Sequence, residues 1–436
     1  MKTIKQERTI PVVGEYDVVV CGGGPGGFIA ALAAAKEGAK TCIIERFDFI
    51  GGMATAGLVA PISVFNYNGR RIIDGLPWKF VERLQEIDGA REEKPLGNIT
   101  FSPEKYKLVA QRMLLEEGVD LYMNSYITGV EKDSDNRITC VIIDNKNGAE
   151  AIAGKVFVDA TGDSDLAALA DVPMQPRPAH LQPPSLIFML SGLDLSQMPM
   201  IRHAKQGVNY HDLMIRDLFT KLRNEGKEDV PVFGGPWYCG ILADGVALVN
   251  MTRHEADMTN NRNATEVTCG LREDAHKFTE LLKKYIPAFK NAELIMTAPQ
   301  TGVRETRRIL GAHTLTGEEY LNAQNFDDAV ARGCHPIDIH TGGSTEQRCS
   351  FMKDAGFVPY RSLYSAEFPN LLAGGRNFSA DGVASASIRV QASVMGLGQA
   401  AGTAAAMAVA AGIPVSEVNT DVLRDKLRAL GANLDN

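Results

Sequence analysis

Near the start of the chain, apolar positions run in unbroken blocks rather than in alternation. Val18 to Cys21 is one such block, the pattern of a parallel strand buried on both faces. Gly22, Gly24 and Gly27 follow, then a segment dominated by Ala30, Ala31, Ala33, Ala34 and Ala35, which predicts a helix able to lie close to a sheet. Gly38 ends that helix, and Lys40 to Ile44 is a second strand that stops at Glu45. Residues 56–75 read as a loop with a polar tip at Asn66 to Arg70. Helices are expected over Pro77 to Ile87 and after Ser102, a capping residue followed by Pro103 and apolar Leu108, Val109, Met113 and Leu114. From Val119 the pattern changes to short strands: Val119–Met123, Tyr126–Glu131, Ile138–Ile143 and Ala149–Phe157. Polar turns join the last three as a meander. Another buried strand, Val156 to Asp159, leads into Ala160-Thr161-Gly162-Asp163 and a short helix.

The middle of the chain is less regular. Strands are expected at Ser185–Leu190, Tyr238–Leu242 and Gly245–Met251, and helices at Arg202–Leu222 and Glu266–Tyr285. Order returns with a strand at Leu371–Ala373 and the tight turn Gly374-Gly375-Arg376. A polar loop then leads to a long helix from about Arg389 or Val390 to Ala411. The run Val394 to Ile413 has the length of a membrane span, but it consists of Ala and Gly with Gln399 and Thr403, which predicts a buried helix.

The glycines carry the first chemistry. In the spacing G-x-G-x-x-G, here Gly22-Gly23-Gly24-Pro25-Gly26-Gly27, the first allows a tight turn and the second lets the backbone approach a pyrophosphate. The third lets helix pack on strand. The helix N-terminus adds free N–H groups and positive dipole. Glu45, 23 residues after Gly22, stands where a carboxylate accepts from a ribose diol. Arg46 and the pair Gly51-Gly52, followed by Met53, fall where a dinucleotide would continue, and Gly162 can again bring backbone near it.

Composition narrows the class. A chain of 436 residues, 45% hydrophobic and 22% charged, is expected to form two or three globular domains. A net charge of -8 argues against a nucleic-acid partner. The seven cysteines include no CxxC pair, which removes zinc ribbons, iron–sulfur runs and an active disulfide. An odd cysteine count and an N-terminus without an apolar signal core point to the cytoplasm, with no membrane association. No second GxGxxG occurs, so a built-in nicotinamide domain is not expected.

Candidate substrate chemistry lies in two runs. In TGVRETRRILG, Arg304, Arg307 and Arg308 suit bidentate binding of a carboxylate; an interdomain ion-pair network with Glu305 is an equal reading. In RGCHPIDIHTGG, the spacing of Cys334, His335, Asp338 and His340 matches no familiar metal site, so no metal is expected. A histidine acting as general acid or base is expected instead, His340 before His335. Arg389 opposes the dipole of the helix it begins, a placement that points to function.

Glycine fingerprint, terminal acid, double glycine, meander and strand-ATGD appear in that order. Together they resemble the flavoproteins that bind FAD in a glutathione-reductase-like domain, and within them the fumarate reductase and succinate dehydrogenase flavoprotein branch. The pattern G-x-G-x-x-G-x3-A-x6-G is met by Gly22, Gly24, Gly27, Ala31 and Gly38. The resemblance implies that Gly22, Gly24, Pro25, Gly26 and Gly27 hold pyrophosphate, Glu45 the adenosine ribose, and Gly51, Gly52 and Met53 the ribityl and flavin. It implies contacts from the Ile127 backbone to adenine, from Ala160, Thr161 and Gly162 to the cofactor, and from Gly375, Arg376 or Asp381 to the ribityl or diphosphate. Arg389, Val390 and Gln391 would meet the isoalloxazine edge, and Arg304, Arg307 or Arg389 would orient a substrate anion. No histidine precedes His180, so the FAD is expected to be non-covalent.

The expected architecture is therefore an α/β fold. A glutathione-reductase-like FAD-binding domain (1–171 and 344–436), Rossmann-type parallel sheet plus β-meander, carries an inserted α+β substrate domain (172–343). The expected activity is hydride transfer between a small polar organic substrate and the flavin, with an unidentified electron donor or acceptor and a possible homo-oligomer. An oxidase or monooxygenase, an electron-transfer subunit and a tRNA-modifying flavoprotein stay as alternatives.

Overall fold

The computed structural model describes residues 2–5, 7–93, 97–197, 213–240 and 243–435. Its first strand, β1 (Val12–Cys21), is followed by helix α1 (Pro25–Lys36) and strand β2 (Thr41–Ile44). Helix α2 (Pro103–Glu116) is capped by the Ser102 side chain, which accepts from the Lys105 amide. Then come β3 (Asp120–Tyr122), β4 (Tyr126–Lys132), β5 (Ile138–Asn145) and β6 (Gly148–Asp159).

The fold is mixed α/β around a parallel Rossmann-like sheet. The strands run β3-β2-β1-β6-β5-β4, and a late strand, β13 (Leu371–Ala373), joins β6. Neighbours β3, β2, β1, β6 and β13 are parallel, while β5 and β4 are antiparallel additions. The two strands expected at Ala149–Phe157 and Val156–Asp159 are one. Its first half pairs antiparallel with β5 and its end pairs parallel with β13, so a single strand serves both meander and parallel sheet. Val18, Val19, Val20 and Cys21 are fully buried, because helices cover the parallel core.

A second sheet, in the order β8-β9-β7-β10, comprises β7 (Phe188–Ser191), β8 (Phe233–Gly240), β9 (Ala247–Thr252) and β10 (Glu293–Thr297). Helix α3 (Asn261–Tyr285) covers it, capped by Asn260. Of the expected helix Arg202–Leu222, residues 202–212 lie outside the described residues, and the remainder is helical over Leu213–Asn224. The last two residues of the expected strand Tyr238–Leu242 also lie outside them. This second core runs from Phe188 to Ala292. Side chains from Ile309 to Ile337 pack in the first core instead, so the apolar division falls short of the expected boundary at 343. A hairpin of β11 (Ile337–His340) and β12 (Gln347–Ser350) follows.

The expected polar loop before the long helix contains a short helix, Gly382–Ile388, and the long helix itself is α4 (Gln391–Ala411). It passes a length-and-composition test for a membrane span, yet it is a core element, buried against α1. A Cβ on Gly398 would stand 2.0 Å from the Gly26 carbonyl oxygen, and one on Gly402 2.0 Å from that of Ala30. Two helices in backbone contact thus present their N-termini to the same edge of the sheet.

Candidate active site

The carboxyl ends of β1, β2, β6 and β13 deliver Gly22–Gly24, Glu45–Arg46, Ala160–Asp163 and Gly374–Arg376 to one side of the sheet. In open α/β sheets this edge is where ligands bind. A cleft with about 990 Å³ of empty space lies there. Gly22 adopts φ +101°, and a Cβ on Gly27 would fall 1.8 Å from the Gly22 carbonyl oxygen, so strand, turn and helix meet with no room for a side chain. A Cβ on Gly24 would meet nothing within 4 Å. The N-caps of α1 and α4, Gly24 and Val390, provide no side-chain hydrogen bond, and neither first turn holds an acid. Both positive helix ends are therefore available to anions.

Glu45 is buried, and its Oε2 accepts from the Gly23 amide at 2.6 Å and its Oε1 from the Phe47 amide at 3.0 Å. Burial raises its pKa, opposed by these amides. A carboxylate has lone pairs beyond those two bonds, so a ribose diol can still donate to it. Asp159, at the end of β6, shapes the next turn by accepting from the Thr161 amide and hydroxyl and the Ala167 amide. Asp163 accepts from Arg376 Nη2 at 2.6 Å and from the Thr306 hydroxyl at 2.6 Å. Burial works to raise its pKa, but the Arg376 charge and these bonds hold it below the ordinary value.

The cleft opens into an inner cavity with about 1230 Å³ of empty space, counting the solvent at its mouth, and the two share Met53, Arg376, Arg389 and Gln391. Arg376 Nε, Arg389 Nε and Gln391 Oε1 are buried there with no hydrogen-bond partner among the described residues. Such orphaned groups fit a bound polar molecule. Together with the two open helix ends and the space at Gly24, they fit a flavin dinucleotide lying across the junction.

Among the described residues, Asp338 is the one carboxylate lining the inner cavity. Asp338 Oδ2 accepts from His340 Nε2 at 2.9 Å and lies 3.9 Å from Arg389 Nη2, while its backbone oxygen accepts from Arg389 at 3.0 Å. Despite burial, His340 and Arg389 hold the Asp338 carboxyl well below the usual range. Arg253, 1% exposed, places Nη2 2.7 Å from His340 Nδ1. A guanidinium only donates, so Nδ1 is the acceptor and Nε2 carries the proton: His340 is neutral. Arg304 donates to the Pro183 carbonyl at 2.6 Å and the Ser185 hydroxyl at 2.8 Å. Burial, then Arg389 and Arg253, pull its pKa down to about 9, so it stays charged at neutral pH.

Three expectations are corrected by this geometry. His340 is not the acid or base: both nitrogens are engaged, and burial and the Arg304 charge depress its pKa to about 3. Arg307 lines neither cavity; it donates to the Asp163 carbonyl and pairs with Asp165, while Arg308 supplies the buried partner of Glu305 at 2.7 Å. Asp381 lines neither, because its carboxylate caps the Gly382–Ile388 helix and accepts from the Gly317 amide.

The other expected residues divide by position. Gly22, Gly24, Pro25, Gly26, Glu45, Arg46, Gly52, Met53, Ile127, Ala160, Thr161, Gly162, Gly375 and Arg376 line the outer cleft. Arg304, His335 and Val390 line the inner one, and Met53, Arg376, Arg389 and Gln391 line both. Gly27 and Gly51 sit behind the wall; Gly51, at φ +125°, donates its amide to Gly23. His335 is the ring with a free nitrogen. Its Nδ1 is 2.7 Å from the Pro336 carbonyl, which only accepts, so Nε2 is an unprotonated acceptor with no protein partner among the described residues. Burial lowers its pKa and keeps it neutral. Sequence reading missed Phe47, Tyr126 and Gln300 in the outer cleft, and Asn98, Trp237 and Asn250 in the inner one. Trp237 carried a signal, as one of two tryptophans and placed directly after Gly234-Gly235-Pro236; Asn98 carried none.

Acid should destabilise this protein through His340. Below its ordinary value of about 6.5 an unfolded histidine binds a proton that the folded ring refuses until about pH 3. Stability is therefore complete above about 6.5 and falls toward 3, by up to about 1.4 kcal/mol per pH unit. His340→Gln can accept from Arg253 and donate to Asp338 without titrating. Melting temperatures measured from pH 7 to 4 should drop less steeply in this variant, and equal slopes would discount the histidine.

A family model described as FAD dependent oxidoreductase matches residues 17–427. The soluble pyridine nucleotide transhydrogenase of Chromohalobacter salexigens is 24% identical over 194 residues, covering 43% of this chain and 37% of that protein. Digeranylgeranylglycerophospholipid reductase of Thermoplasma volcanium is 29% identical over 163 residues, covering 34% and 39%. Both matches thus span less than half of the relative's length. A geranylgeranyl bacteriochlorophyll reductase-like structure from Thermoplasma acidophilum aligns over 96% of this chain and 92% of its own, with a TM-score of 0.47 and 14% identity. The match along nearly the whole chain, on a cleft built for a dinucleotide, makes this protein an enzyme of the FAD dependent oxidoreductase family, with FAD as its cofactor.

Proposed function

We propose that the enzyme is a dehydrogenase or reductase of small organic acids, moving a hydride between a substrate carbon and FAD. One observation carries the reading. Arg253, Arg304 and Arg389 surround the carboxylate of Asp338 in and behind the inner cavity, next to a neutral His340. Neither Arg253 nor Arg304 has an ion-pair partner among the described residues, so the cavity wall is cationic and offers a place for an anion.

Bound FAD supplies the two-electron acceptor or donor. Arg304 and Arg389 bind the substrate carboxylate and orient its reacting carbon. His335 lines the cavity, and its neutral Nε2, without a protein partner among the described residues, takes a proton in oxidation and returns it in reduction. The Trp237 wall limits water. The open end of α4 supplies positive potential on the cofactor side. In this proposal residues 1–171 and 344–436 form a glutathione-reductase-like FAD domain, 172–343 supply part of the substrate wall, and the chain belongs near the fumarate reductase branch. FAD is held non-covalently, so heat-denatured protein should release its yellow colour into the supernatant.

Arg304→Gln tests the anion site. Losing a charge-assisted hydrogen bond of about 1.5–3 kcal/mol should raise KM for an acid substrate roughly 10- to 150-fold, with FAD content unchanged. Anaerobic bleaching of the flavin band across a panel of organic acids identifies that substrate. An enzyme bleached only by neutral alcohols or amines would sink the proposal.

A further inference from the structure

The inner cavity is larger and less polar than an acid group alone requires, and its walls differ in chemistry. The cationic wall comes from three chain segments, 302–304, 335–340 and 389–391. Across the rest of the cavity lie the indole of Trp237, Tyr238, Ile187 and the run Val59 to Val64. Trp237 is braced by His340, ring centroids 5.6 Å apart and nearly perpendicular. Besides Ser63 and Tyr238, two amides interrupt this largely apolar surface. Asn98, 5% exposed, stands beside the Ile62–Val64 segment, since Ile62 and Ile99 form an antiparallel bridge. Asn250 pairs with Trp237 across β8 and β9. The Oδ1 atoms of Asn98 and Asn250 are both buried without a hydrogen-bond partner among the described residues.

A buried amide without a partner is costly, and it is retained where a ligand completes it. A short dicarboxylate could satisfy the arginines but would leave both amides unpaired and the aromatic wall bare. Resting on the organic-acid reading above, we infer that the substrate is a monocarboxylic acid with an apolar, ring-sized body and a hydrogen-bonding group at its far end. The carboxylate meets Arg304 and Arg389, the body lies along Trp237 and the Val59–Val64 run, and Asn98 and Asn250 read the far polar group. Asn98 and Asn250 are then specificity residues, and their effect falls on discrimination rather than on chemistry.

The test is ligand binding to the FAD-loaded enzyme, followed by the flavin difference spectrum and tryptophan fluorescence. The probes are phenylacetate, its 3- and 4-hydroxy derivatives, succinate and benzyl alcohol. At least one hydroxyphenylacetate should bind tenfold or more tightly than phenylacetate, and phenylacetate more tightly than succinate. Asn98→Leu or Asn250→Leu should erase the hydroxyl preference while keeping phenylacetate affinity, and Arg304→Gln should weaken every acid. Full FAD content certifies the fold of each variant, and either asparagine suffices if the other variant misfolds. Succinate binding as tightly as the aryl acids, or a hydroxyl preference that survives both leucine variants, overturns the inference and leaves the organic-acid reading intact. Benzyl alcohol binding as well as any acid overturns both.

Discussion

Gly402→Val should give a protein that retains no FAD and has lost more than about 3 kcal/mol of stability, at or beyond the upper end of the cost of overpacking a core. The first added carbon would already stand 2.0 Å from the Ala30 carbonyl oxygen, and the obstacle is backbone rather than a side chain that can rotate away. The remedy is to separate α4 from α1. Gly26, in the first turn of α1, is itself closed in, with a Cβ there 2.0 Å from the Gly374 carbonyl oxygen. Parting the helices thus displaces both N-termini that face the cofactor cleft. Gly396, on the same helix, is the control: a Cβ there meets only Ala331 at 3.9 Å, so Gly396→Ala should be neutral or stabilise by up to about 1 kcal/mol. Thermal melts and the flavin-to-protein absorbance ratio decide the matter. A Gly402→Val protein with wild-type melting and full flavin would show that the close helix contact is dispensable.

The second large effect belongs to Asp338. Asp338→Asn keeps the shape and removes the carboxylate whose charge acts on Arg253, Arg304 and Arg389; Glu305 also acts on Arg389 but is already paired with Arg308. It also turns one acceptor into a donor, although Oδ2 accepts from His340 and Oδ1 from Gln347. Breaking a buried charge cluster from one side costs about 3–5 kcal/mol, because the partners remain buried and uncompensated. Denaturant titration of the FAD-loaded variant should show a loss of that size. A high concentration of an acid ligand should restore part of it, since an anion bound at Arg304 supplies the missing charge. A loss below about 1 kcal/mol would mean that Asp338 does not hold the arginines in place.

What could be read along the chain was whatever is built from contiguous residues. Strand, glycine turn, helix, second strand and acid follow one another between Val18 and Glu45, and local geometry forces Gly22, Gly24 and Gly27 into the turn. The burial of α4 was legible for the same reason: a helix of Ala and Gly has little but close backbone packing to offer. Tertiary structure decided everything that depends on which way side chains from distant segments point. Arg304 and Arg307 are three residues apart, yet one lines the inner cavity and the other pairs with Asp165 outside it. His335 and His340 look equivalent in RGCHPIDIHTGG, but Arg253, directly after β9 of the second sheet, fixes the His340 tautomer and takes its free nitrogen away. Asn98 and Asn250 meet one cavity from segments 152 positions apart, and no local pattern marks either. Backbone conformation is set largely by neighbours in the chain, whereas charge, tautomer and the vacancy of a buried amide are set by whatever folding brings alongside.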